Sequence, residues 1–569
     1  MPNRSDNEEF ATVVARALTR RSVLQGAAAA SSTLAISGLF SSSAAAADGN
    51  TARGVGNLDF TPVPPNTRDN VTVPRGYEYD VVVRWGDKVL PDAPRFDVDN
   101  QSAEAQAGQF GYNCDYVGVL RHPDYRNRRL MVVNHEYTDE YIMFPTGKYT
   151  ENQQRRIAMQ AHGMSVLEIE RDGSQGSWKR VAPGRTTLNR RVTVTTPMRL
   201  TGPAAGHRRL QTKEDPTGRR VLGTLNNCAG GLTPWGTVLS GEENFDGYFE
   251  ASGALDARYV ESYMRYGLTD DGVTVEGERG WGSIDPRFDL TVEPREPFRF
   301  GWIVELDPSD RNSTPRKRTM LGRFKHEGAN IKVAPDGRVA AYMGDDERGE
   351  YIYKFVSKRK MRTGSGEEAR EHNMGLLDEG TLYVARFNGD GVADGEYDGE
   401  GVWLPLTSDT ESFVQGMSVA EVLIDTRLAA DTVKPTRMDR PEDIQPNPVN
   451  GRIYCALTNN DERGTEFPPN AANPLTSSHI RESLNGPLVS ATGNRNGYIL
   501  EIDEARDDAT ARRFNWNLFL VCGDPDAPET YFAGFDKDLV SPISCPDNVA
   551  FDGAGNLWIA TDGNSLGSH

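Results

Sequence analysis

The sequence predicts an all-β protein, specifically a β-propeller with helical and loop insertions. Stretches rich in β-branched and aromatic residues dominate the chain after about residue 75, and helical patterns are few. The chain also repeats one strand–turn–strand pattern five times, and each copy begins and ends with a residue of a metal-binding type. The copies span 113–136, 228–243, 327–346, 442–460 and 547–562. Repeated antiparallel units of this kind build the blades of a propeller.

The predicted elements follow from local patterns. Alternating or β-branched runs predict strands over 77–85, 129–133, 298–306, 351–355, 381–387, 497–502 and 556–560. Helical spacing of apolar residues predicts inserted helices over 152–161, 255–266 and 414–431. A propeller blade usually repeats every 40 to 50 residues or so, and the copies here are farther apart. Each copy is therefore one blade with large loops, or a second blade lies between copies.

The turns of the five copies align on one position, which places their polar ends in register. Arg128 holds this position in the first copy, and a glycine holds it in the others: Gly236, Gly337, Gly451 and Gly555. In a two-stranded hairpin, the entry of the first strand and the exit of the second lie at the same end. Radially arranged copies would therefore gather ten polar positions around one mouth of a central channel, where carboxylate, Asn and Cys clusters suggest a metal or catalytic site.

The N-terminus predicts export. Thr19 to Gln25 contains an Arg-Arg pair, and an uncharged, small-residue stretch runs from 26 to 47. This order is typical of a twin-arginine signal peptide, here 1–47, and its alternative is a chance Arg-Arg pair before a disordered tail. We expect the mature chain, 48–569, to be a single propeller domain located in the periplasm or outside the cell. Its first partner is then the twin-arginine translocation machinery, which carries proteins already folded.

Composition excludes several other partners. The chain has 82 acidic and 63 basic residues, a net charge of −19, which argues against nucleic acid and anionic membranes. No segment of the mature chain approaches the roughly 18 apolar residues of a membrane span. Five cysteines without a CxxC pair make a zinc ribbon improbable. Cys228 opens a copy of the repeat, so it is either a thiolate ligand or a buried, inert cysteine.

Seven short motifs together carry a family resemblance. They are 134–138 (NHEYT), 227–237 (NCAGGLTPWGT), 240–245 (SGEENF), 326–327 (HE), 344–346 (GDD), 440–443 (RPED) and 545–548 (CPDN). From about Phe60 to the last residue, the sequence resembles the PhoX family of bacterial alkaline phosphatases. The resemblance implies a six-bladed β-propeller, exported by the twin-arginine route, that hydrolyses phosphate monoesters at a cluster of iron(III) (Fe3+) and calcium (Ca2+) ions. The implied substrate is an organic phosphate ester, and we expect a monomer.

The same resemblance assigns roles to residues of this chain. Cys228 resembles the thiolate ligand of iron, and Arg440 resembles the residue that clamps phosphate. The residues that resemble carboxylate ligands of iron and calcium are Glu243, Glu327, Glu442 and Asp547. Glu136 is either a metal ligand or a residue that contacts a ligand. Asn113 and Asn134 have the same two interpretations. Asp345, Asp346 and Asp562 are ligands or simply end strands, and His135 and His326 are expected to be packing or surface residues because they alternate to the opposite face.

The residue types suit this chemistry. Carboxylate oxygens suit calcium and ferric iron, and one thiolate favours a transition metal. Arginine offers phosphate a planar pair of hydrogen bonds. The chain has no Walker A loop and no His-Glu-x-x-His motif.

One departure from the family concerns the C-terminal end. Members of the family continue beyond the motif that ends at Gly563, whereas this sequence stops at His569. We therefore expect the last blade to be incomplete, which would expose sheet edges and put activity in question. Two other functions stay open at this point: a non-catalytic, calcium-binding propeller, and a calcium-dependent lactonase-type propeller hydrolase that would need neither Arg440 nor a thiolate.

Overall fold

A computed structural model describes residues 60–173, 176–364, 366–389 and 397–563. The predicted signal peptide, 1–47, lies outside the described residues. Most regular structure is antiparallel β-sheet, decorated by short helices, so the predicted propeller-like all-β class is confirmed. The number of six blades stays a prediction, because the described residues contain five inner hairpins.

The first two sheets follow one another in the chain. The first sheet contains β1 (Cys114–Arg121), β2 (Arg128–His135), β3 (Gly163–Arg171), β4 (Trp178–Arg180) and β5 (Arg190–Val192). The second sheet contains β6 (Pro197–Thr201), β7 (Arg220–Leu222), β8 (Asn227–Leu232), β9 (Val238–Glu242), β10 (Val304–Leu306) and β11 (Arg316–Arg318). Its strand order is β7-β6-β11-β10-β9-β8. Strands β1 to β4 and strands β8 to β11 pair consecutively as antiparallel meanders. Strand β5 pairs with β3, and β6 pairs in parallel with β11.

The third and fourth meanders join at their outer edges. One meander contains β12 (Asn330–Val333), β13 (Arg338–Gly344), β14 (Ile352–Lys360), β15 (Gly380–Gly389) and β16 (Asp398–Ser408). The other contains β17 (Pro441–Pro446), β18 (Ile453–Leu457), β21 (Tyr498–Glu504), β22 (Arg513–Val521) and β23 (Tyr531–Phe532). Strands β16 and β22 pair and make one ten-stranded sheet. Two hairpins complete the β-structure: β19 (Ser477–Arg481) with β20 (Leu488–Thr492), and β24 (Pro546–Phe551) with β25 (Leu557–Thr561).

The first strands of the five predicted hairpins form the inner ring. Strand β1 contacts β8, β8 contacts β12, β12 contacts β17, and β17 contacts β24. The side chain of Asn548, on β24, donates a hydrogen bond to Asp115, on β1, at 3.2 Å. This contact connects the last hairpin to the first, so the five hairpins surround a common centre.

The turns of the hairpins explain their glycines. Gly236, Gly337, Gly451 and Gly555 have φ values of 85°, 90°, 73° and 83°, a left-handed conformation that glycine adopts without a Cβ clash. All five predicted hairpins are present, with antiparallel pairing.

The helices are short and lie in the connections. They are α1 (Ala103–Gln106), α2 (Glu140–Met143), α3 (Glu151–Ala161), α4 (Val260–Arg265), α5 (Glu367–Asn373), α6 (Val419–Ile424) and α7 (Thr426–Val433). The predicted helix 152–161 is confirmed as α3, which begins at a capping box between Thr150 and Gln153. No helix among the described residues is long and apolar enough to cross a bilayer.

Four sequence predictions differ from the structure. The segment 77–85 forms no strand, and the predicted strand 298–306 is reduced to β10 after a 3-10 turn. The predicted helix 255–266 is reduced to α4. The predicted helix 414–431 breaks into α6 and α7 at Asp425, whose carboxylate accepts hydrogen bonds from Arg209 and Ser262. These side-chain contacts compete with helix continuation at that position.

The apolar core is continuous between neighbouring meanders. Its largest cluster joins the first three inner hairpins to the insertion that carries Trp281 and Trp302. A second cluster, around Trp403 and Trp516, fills the space between the third and fourth meanders. Tight packing on both sides of each hairpin fixes the strand ends that form the centre of the ring.

Candidate metal centre

One backbone contact recurs in all five hairpins at the mouth of the ring. In each hairpin, a backbone N–H group just after the second strand donates a hydrogen bond to a backbone carbonyl just before the first strand. These bonds join Glu136 to Asn113 (3.1 Å), Glu243 to Asn226 (3.0 Å), Asp346 to Lys325 (3.1 Å), Thr458 to Arg440 (3.1 Å) and Asp562 to Cys545 (3.0 Å). The repeat seen in the sequence is therefore a repeated atomic arrangement.

The first strand of each hairpin also contains a bulge. In the first hairpin, Cys114 pairs with His135, and the next regular pair is Val117 with Val133. Equivalent register shifts follow the first pair of the second, fourth and fifth hairpins, and in the third hairpin an isolated bridge joins His326 to Asp345 ahead of β12. A bulge re-aims the side chain of its first residue. These first residues are Asp115, Cys228, Glu327, Glu442 and Asp547.

Backbone strain marks the same end of the hairpins. Asn113, Asn226, Arg440 and Cys545 have φ values of 44°, 46°, 52° and 49°. Each lies two residues before a bulge residue, and none is a glycine. Left-handed backbone at non-glycine residues is costly and concentrates at functional sites.

The two sets of positions define ten side chains. We name Asp115, Cys228, Glu327, Glu442 and Asp547 the inner residues, and Glu136, Glu243, Asp346, Thr458 and Asp562 the closing residues. Six of the ten are buried: Cys228, Glu243, Glu327, Asp346, Glu442 and Thr458. The mouth of the ring thus holds one thiol, one hydroxyl and eight carboxyl groups.

The ligand atoms of these residues lie close together. Three groups have candidate ligand atoms within 4.8 Å of one another: Asp115, Glu136 and Cys228; Cys228, Glu243 and Glu327; and Glu243, Glu327, Asp346 and Glu442. Cys228 belongs to two groups, as do Glu243 and Glu327. Shared members connect the three groups into one continuous cluster.

Crowded, buried carboxyl groups raise one another's pKa. Burial is the largest cause in each case, and neighbouring carboxylates add to it. The pKa lies well above the ordinary value for Glu136, Glu243, Glu327 and Glu442. Burial followed by the charge of Asp115 raises the pKa of Asp547 to about 8.

The pKa of the Cys228 thiol is raised in the same way. Burial and then the charges of Asp115 and Glu136 raise its pKa well above the usual value. Its Sγ donates a hydrogen bond to Asp115 Oδ2 at 3.4 Å, and burial raises the pKa of Asp115 to about 6. A cation at this point would reverse both shifts, because it favours the thiolate and the carboxylate.

The donor set fits a cluster of metal ions. Several buried polar atoms have no hydrogen-bond partner among the described residues, and four of them belong to the ring: Glu327 Oε2, Asp346 Oδ1, Thr458 Oγ1 and Asp547 Oδ1. Buried polar groups without partners are rare and need an explanation such as an ion. Hard oxygen donors together with one sulfur match a mixture of hard cations and a transition metal.

Arg440 lies at the edge of this cluster. One of its Nη atoms is 2.7 Å from Asp346 Oδ2 and 3.0 Å from Glu442 Oε1. Its side chain is 26% exposed, whereas those of its two partners are almost fully buried. The guanidinium group is therefore held by the cluster and still accessible from the mouth.

Other residues predicted from the sequence form hydrogen bonds or ion pairs with protein groups around the cluster. Asn134 Nδ2 donates to the backbone oxygens of Cys228 and Ala229, so it orients the peptide that carries the thiol. Asp345 forms a buried ion pair with Arg427. His135 and His326 are fully buried and hydrogen-bonded to Ser165 and to the Gly322 carbonyl, which agrees with a packing role.

The structure corrects the register of two copies. In the first copy, the sequence indicated Asn113, but the residue aimed at the cluster is Asp115. In the fourth copy, whose sequence span ends at Asn460, Thr458 holds the closing position. Asn460 instead forms a backbone bridge with Asn494. Aligning the copies on the residue two before each ligand, as in Arg440-Pro441-Glu442, would have identified Asp115.

Comparisons with known proteins identify the family of this chain. The chain matches the family described as "Alkaline phosphatase PhoX" over residues 58–568. A comparison with curated proteins gives no match. A solved structure, "Pseudomonas fluorescens PhoX in complex with vanadate, a transition state analogue", is 40% identical, with a TM-score of 0.78 over 90% of this chain and 84% of that one. The chain belongs to the PhoX family of alkaline phosphatases.

Proposed function

We propose that this protein is an alkaline phosphatase that hydrolyses organic phosphate monoesters at the mouth of its propeller, with iron(III) and calcium as its metals. Family membership supports the reaction, and the similar solved structure contains vanadate, named there as a transition state analogue. The observation that carries the proposal is the buried cluster of carboxyl groups around Cys228, with Arg440 beside it.

The residues that would hold the metals follow from their donor atoms. Cys228 supplies the only sulfur in the cluster and would bind iron, with Glu243 and Glu327 in the same group. Glu442 would bind iron or calcium, and Asp547 would do the same from the last hairpin. Bound metals would neutralise charge on the transferred phosphoryl group and bring its reacting oxygens into line.

Asp115, which the sequence did not indicate, and Glu136, which it indicated as a possible ligand, join this set. Asp115 and Glu136 form a group with Cys228, so we propose that both bind metal. Asn548 donates to both oxygens of Asp115, at 3.2 and 3.3 Å, and fixes the carboxylate's orientation. Such partners of ligands tune both geometry and affinity.

Arg440 would bind the substrate phosphate directly. Its planar guanidinium can donate two parallel hydrogen bonds to phosphate oxygens. Asp346 and Glu442 hold it in one orientation before substrate arrives, which reduces the entropy lost on binding. The left-handed backbone at Arg440 adds a strained conformation that is typical of a positioned functional residue.

The proposal includes export by the twin-arginine route. Thr19 to Gln25 and the uncharged stretch that follows have the order of such a signal. A route that carries folded proteins suits a site built from residues of five hairpins. The protein would then act in the periplasm or outside the cell, on phosphate esters that reach it there.

The test is hydrolysis of p-nitrophenyl phosphate together with metal analysis. We expect the purified protein to contain iron and calcium and to lose activity in a calcium chelator. Changing Cys228→Ala should remove iron and abolish activity, whereas Cys455→Ala, a buried cysteine outside the cluster, should leave the iron content unchanged. Full activity in the chelator, or unchanged iron in Cys228→Ala, would refute the proposed centre.

A further inference from the structure

We propose that Arg348 and Arg495, which share the carboxylate of Asp461, form a second anion subsite outside Arg440. The subsite would bind a further phosphate on the leaving group, so it would favour phosphate esters such as nucleoside polyphosphates. This inference rests on the proposed phosphatase function and adds the class of leaving group to it.

The three residues lie in loops at the mouth of the ring. Arg348 follows β13 and the closing residue Asp346, and Asp461 follows β18 and Thr458. Arg495 precedes β21, which runs antiparallel to β18 and therefore begins at the same end. All three loops thus open on the side of the metal cluster.

Backbone contacts place both arginines next to the predicted phosphate clamp. Arg348 forms a backbone bridge with Asp439, the residue immediately before Arg440. The carbonyl of Arg495 accepts a hydrogen bond from the Sγ of Cys545, which lies two residues before the inner residue Asp547. The two arginines therefore lie around the rim between the third, fourth and fifth hairpins.

The charge of this group is positive. Arg348 Nε donates to Asp461 Oδ1 at 2.9 Å, and Arg495 Nη1 donates to Asp461 Oδ2 at 3.5 Å. Two guanidinium groups share one carboxylate, which leaves a formal charge of about +1. Within the described ranges, the Nη atoms of Arg348 and the Nε and Nη2 atoms of Arg495 have no hydrogen-bond partner. These nitrogens can donate to an incoming anion.

Exposure distinguishes this pair from neighbouring arginines. The side chains of Arg348 and Arg495 are 37% and 33% exposed. By contrast, Arg427 and Arg463 are buried in ion pairs with Asp345 and Asp439. The buried pairs hold the loops in place, while the exposed pair faces solvent at the mouth.

An accessible cationic group matters on this protein because its net charge is −19. An anionic substrate is repelled by the chain as a whole, and a local positive rim attracts it to the mouth. Arginine is also the side chain best suited to bind phosphate through paired hydrogen bonds. A substrate with two phosphates could contact Arg440 with one and the Arg348–Arg495 pair with the other.

The experiment compares ATP with p-nitrophenyl phosphate, whose leaving group carries no phosphate. The double variant Arg348→Gln/Arg495→Gln is assayed as the metal-loaded, full-length protein. We expect the ratio of kcat/KM for ATP to kcat/KM for p-nitrophenyl phosphate to fall about 10- to 100-fold, since a charge-assisted contact contributes about this much per group.

The matched control is Arg452→Gln. Arg452 is 35% exposed and bound to Glu501 at 2.8 Å, but it lies at the turn end of the fourth hairpin, away from the mouth. Arg452→Gln removes one positive charge, as each substitution in the double variant does. If the ratio of kcat/KM values does not change in Arg452→Gln, the effect of the double variant is local and not a general effect of charge. A second variant, Asp461→Asn, should raise the same ratio about threefold or more, because it frees both arginines.

Two results would overturn the subsite: an unchanged ratio in the double variant, or an equal fall in the ratio with Arg452→Gln. Failure of the proposed function looks different, because the unmodified, metal-loaded protein would then hydrolyse neither compound. A fall in the ratio that is confined to the double variant supports the subsite.

Discussion

Two buried glutamates at opposite ends of the hairpins have opposite surroundings. At the mouth, Glu327 lies among other carboxyl groups, and its Oε2 has no hydrogen-bond partner among the described residues. Away from the mouth, Glu504 accepts hydrogen bonds from Lys354 (2.7 Å), Tyr342 (2.5 Å) and Trp403 (3.2 Å). One carboxyl group is left for a ligand, and the other is fully satisfied by the protein.

The backbone shows the same contrast between the two ends. Glycines provide the left-handed conformation at four turns, whereas at the mouth Asn113, Asn226, Arg440 and Cys545 adopt it at a cost. Natural sequences depart from local rules chiefly at functional sites. The turn ends therefore stabilise a scaffold whose mouth ends carry strain and unpaired charge.

The largest expected effect comes from making the same substitution, Glu to Gln, at each of the two glutamates. We expect Glu327→Gln to lower kcat on p-nitrophenyl phosphate by about 10³-fold or more, because it removes a charge that would hold the metals opposing the phosphoryl group. Glu504→Gln should leave metal content unchanged. It should lower the free energy of unfolding by roughly 3 kcal/mol, because it breaks a buried ion pair.

After chelation, the two variants should differ in the sign of their stability change. Glu327→Gln should raise the Tm of the metal-free protein, since one fewer buried acid must ionise or stay protonated, and Glu504→Gln should lower it. Thermal unfolding with and without chelator measures both. A lower Tm for metal-free Glu327→Gln would contradict the view that the mouth is destabilised without metal.

The second effect concerns the pH dependence of the metal-free protein. The pKa of Asp115 is raised to about 6 and that of Asp547 to about 8, so the folded state holds protons that the unfolded state releases. Stability from these groups is fully present below the unfolded pKa near 4 and falls as pH rises toward 8. We expect a loss of several kcal/mol in the free energy of unfolding over this range, since a tenfold difference in acid strength corresponds to about 1.4 kcal/mol.

Chemical denaturation of chelated protein between pH 4 and 8 tests this expectation, with the metal-loaded protein as the control. Metals that bind the carboxylates reverse the preference for protons, so the loaded protein should lack this decline. Stability that rises with pH in the metal-free protein would contradict the assigned burial of these groups.

The smallest effect is expected at the turn end. Gly337→Ala places a Cβ at a residue with φ of 90°, although the nearest side-chain atom, in Lys360, is 3.6 Å away. Backbone strain alone should therefore lower the free energy of unfolding by about 1 kcal/mol. Activity should not change, because the turn lies at the far end of β13 from Asp346. A loss of activity without a loss of stability would show that the two ends are coupled.

The sequence predicted the scaffold better than the details of the site. Turn glycines and alternating strands are local signals, so the five hairpins could be located. Asp115 was missed because a bulge shifts the residue that faces the cluster, and a bulge leaves no clear mark in a single sequence. Thr458 was missed because a lone threonine is a weaker metal-binding signal than the two asparagines that follow it.

Two segments have local patterns that gave wrong predictions of secondary structure. Apolar spacing over 414–431 favours one helix, but Asp425 forms contacts with Arg209 and Ser262, which are distant in sequence. The segment 77–85 has strand-forming residues, yet it pairs with no neighbouring strand in the described structure. Tertiary contacts override local propensity in both cases.

The hydrogen bond between Asn548 and Asp115 has a consequence for the order of assembly. These residues are 433 positions apart, so the metal-binding cluster is complete only after the last hairpin has docked against the first. Contacts this distant in sequence form late and slowly during folding. The cluster therefore reports on the whole chain: a molecule that holds its full set of metals has already closed its ring. Metal loading would thus distinguish finished molecules from unfinished ones.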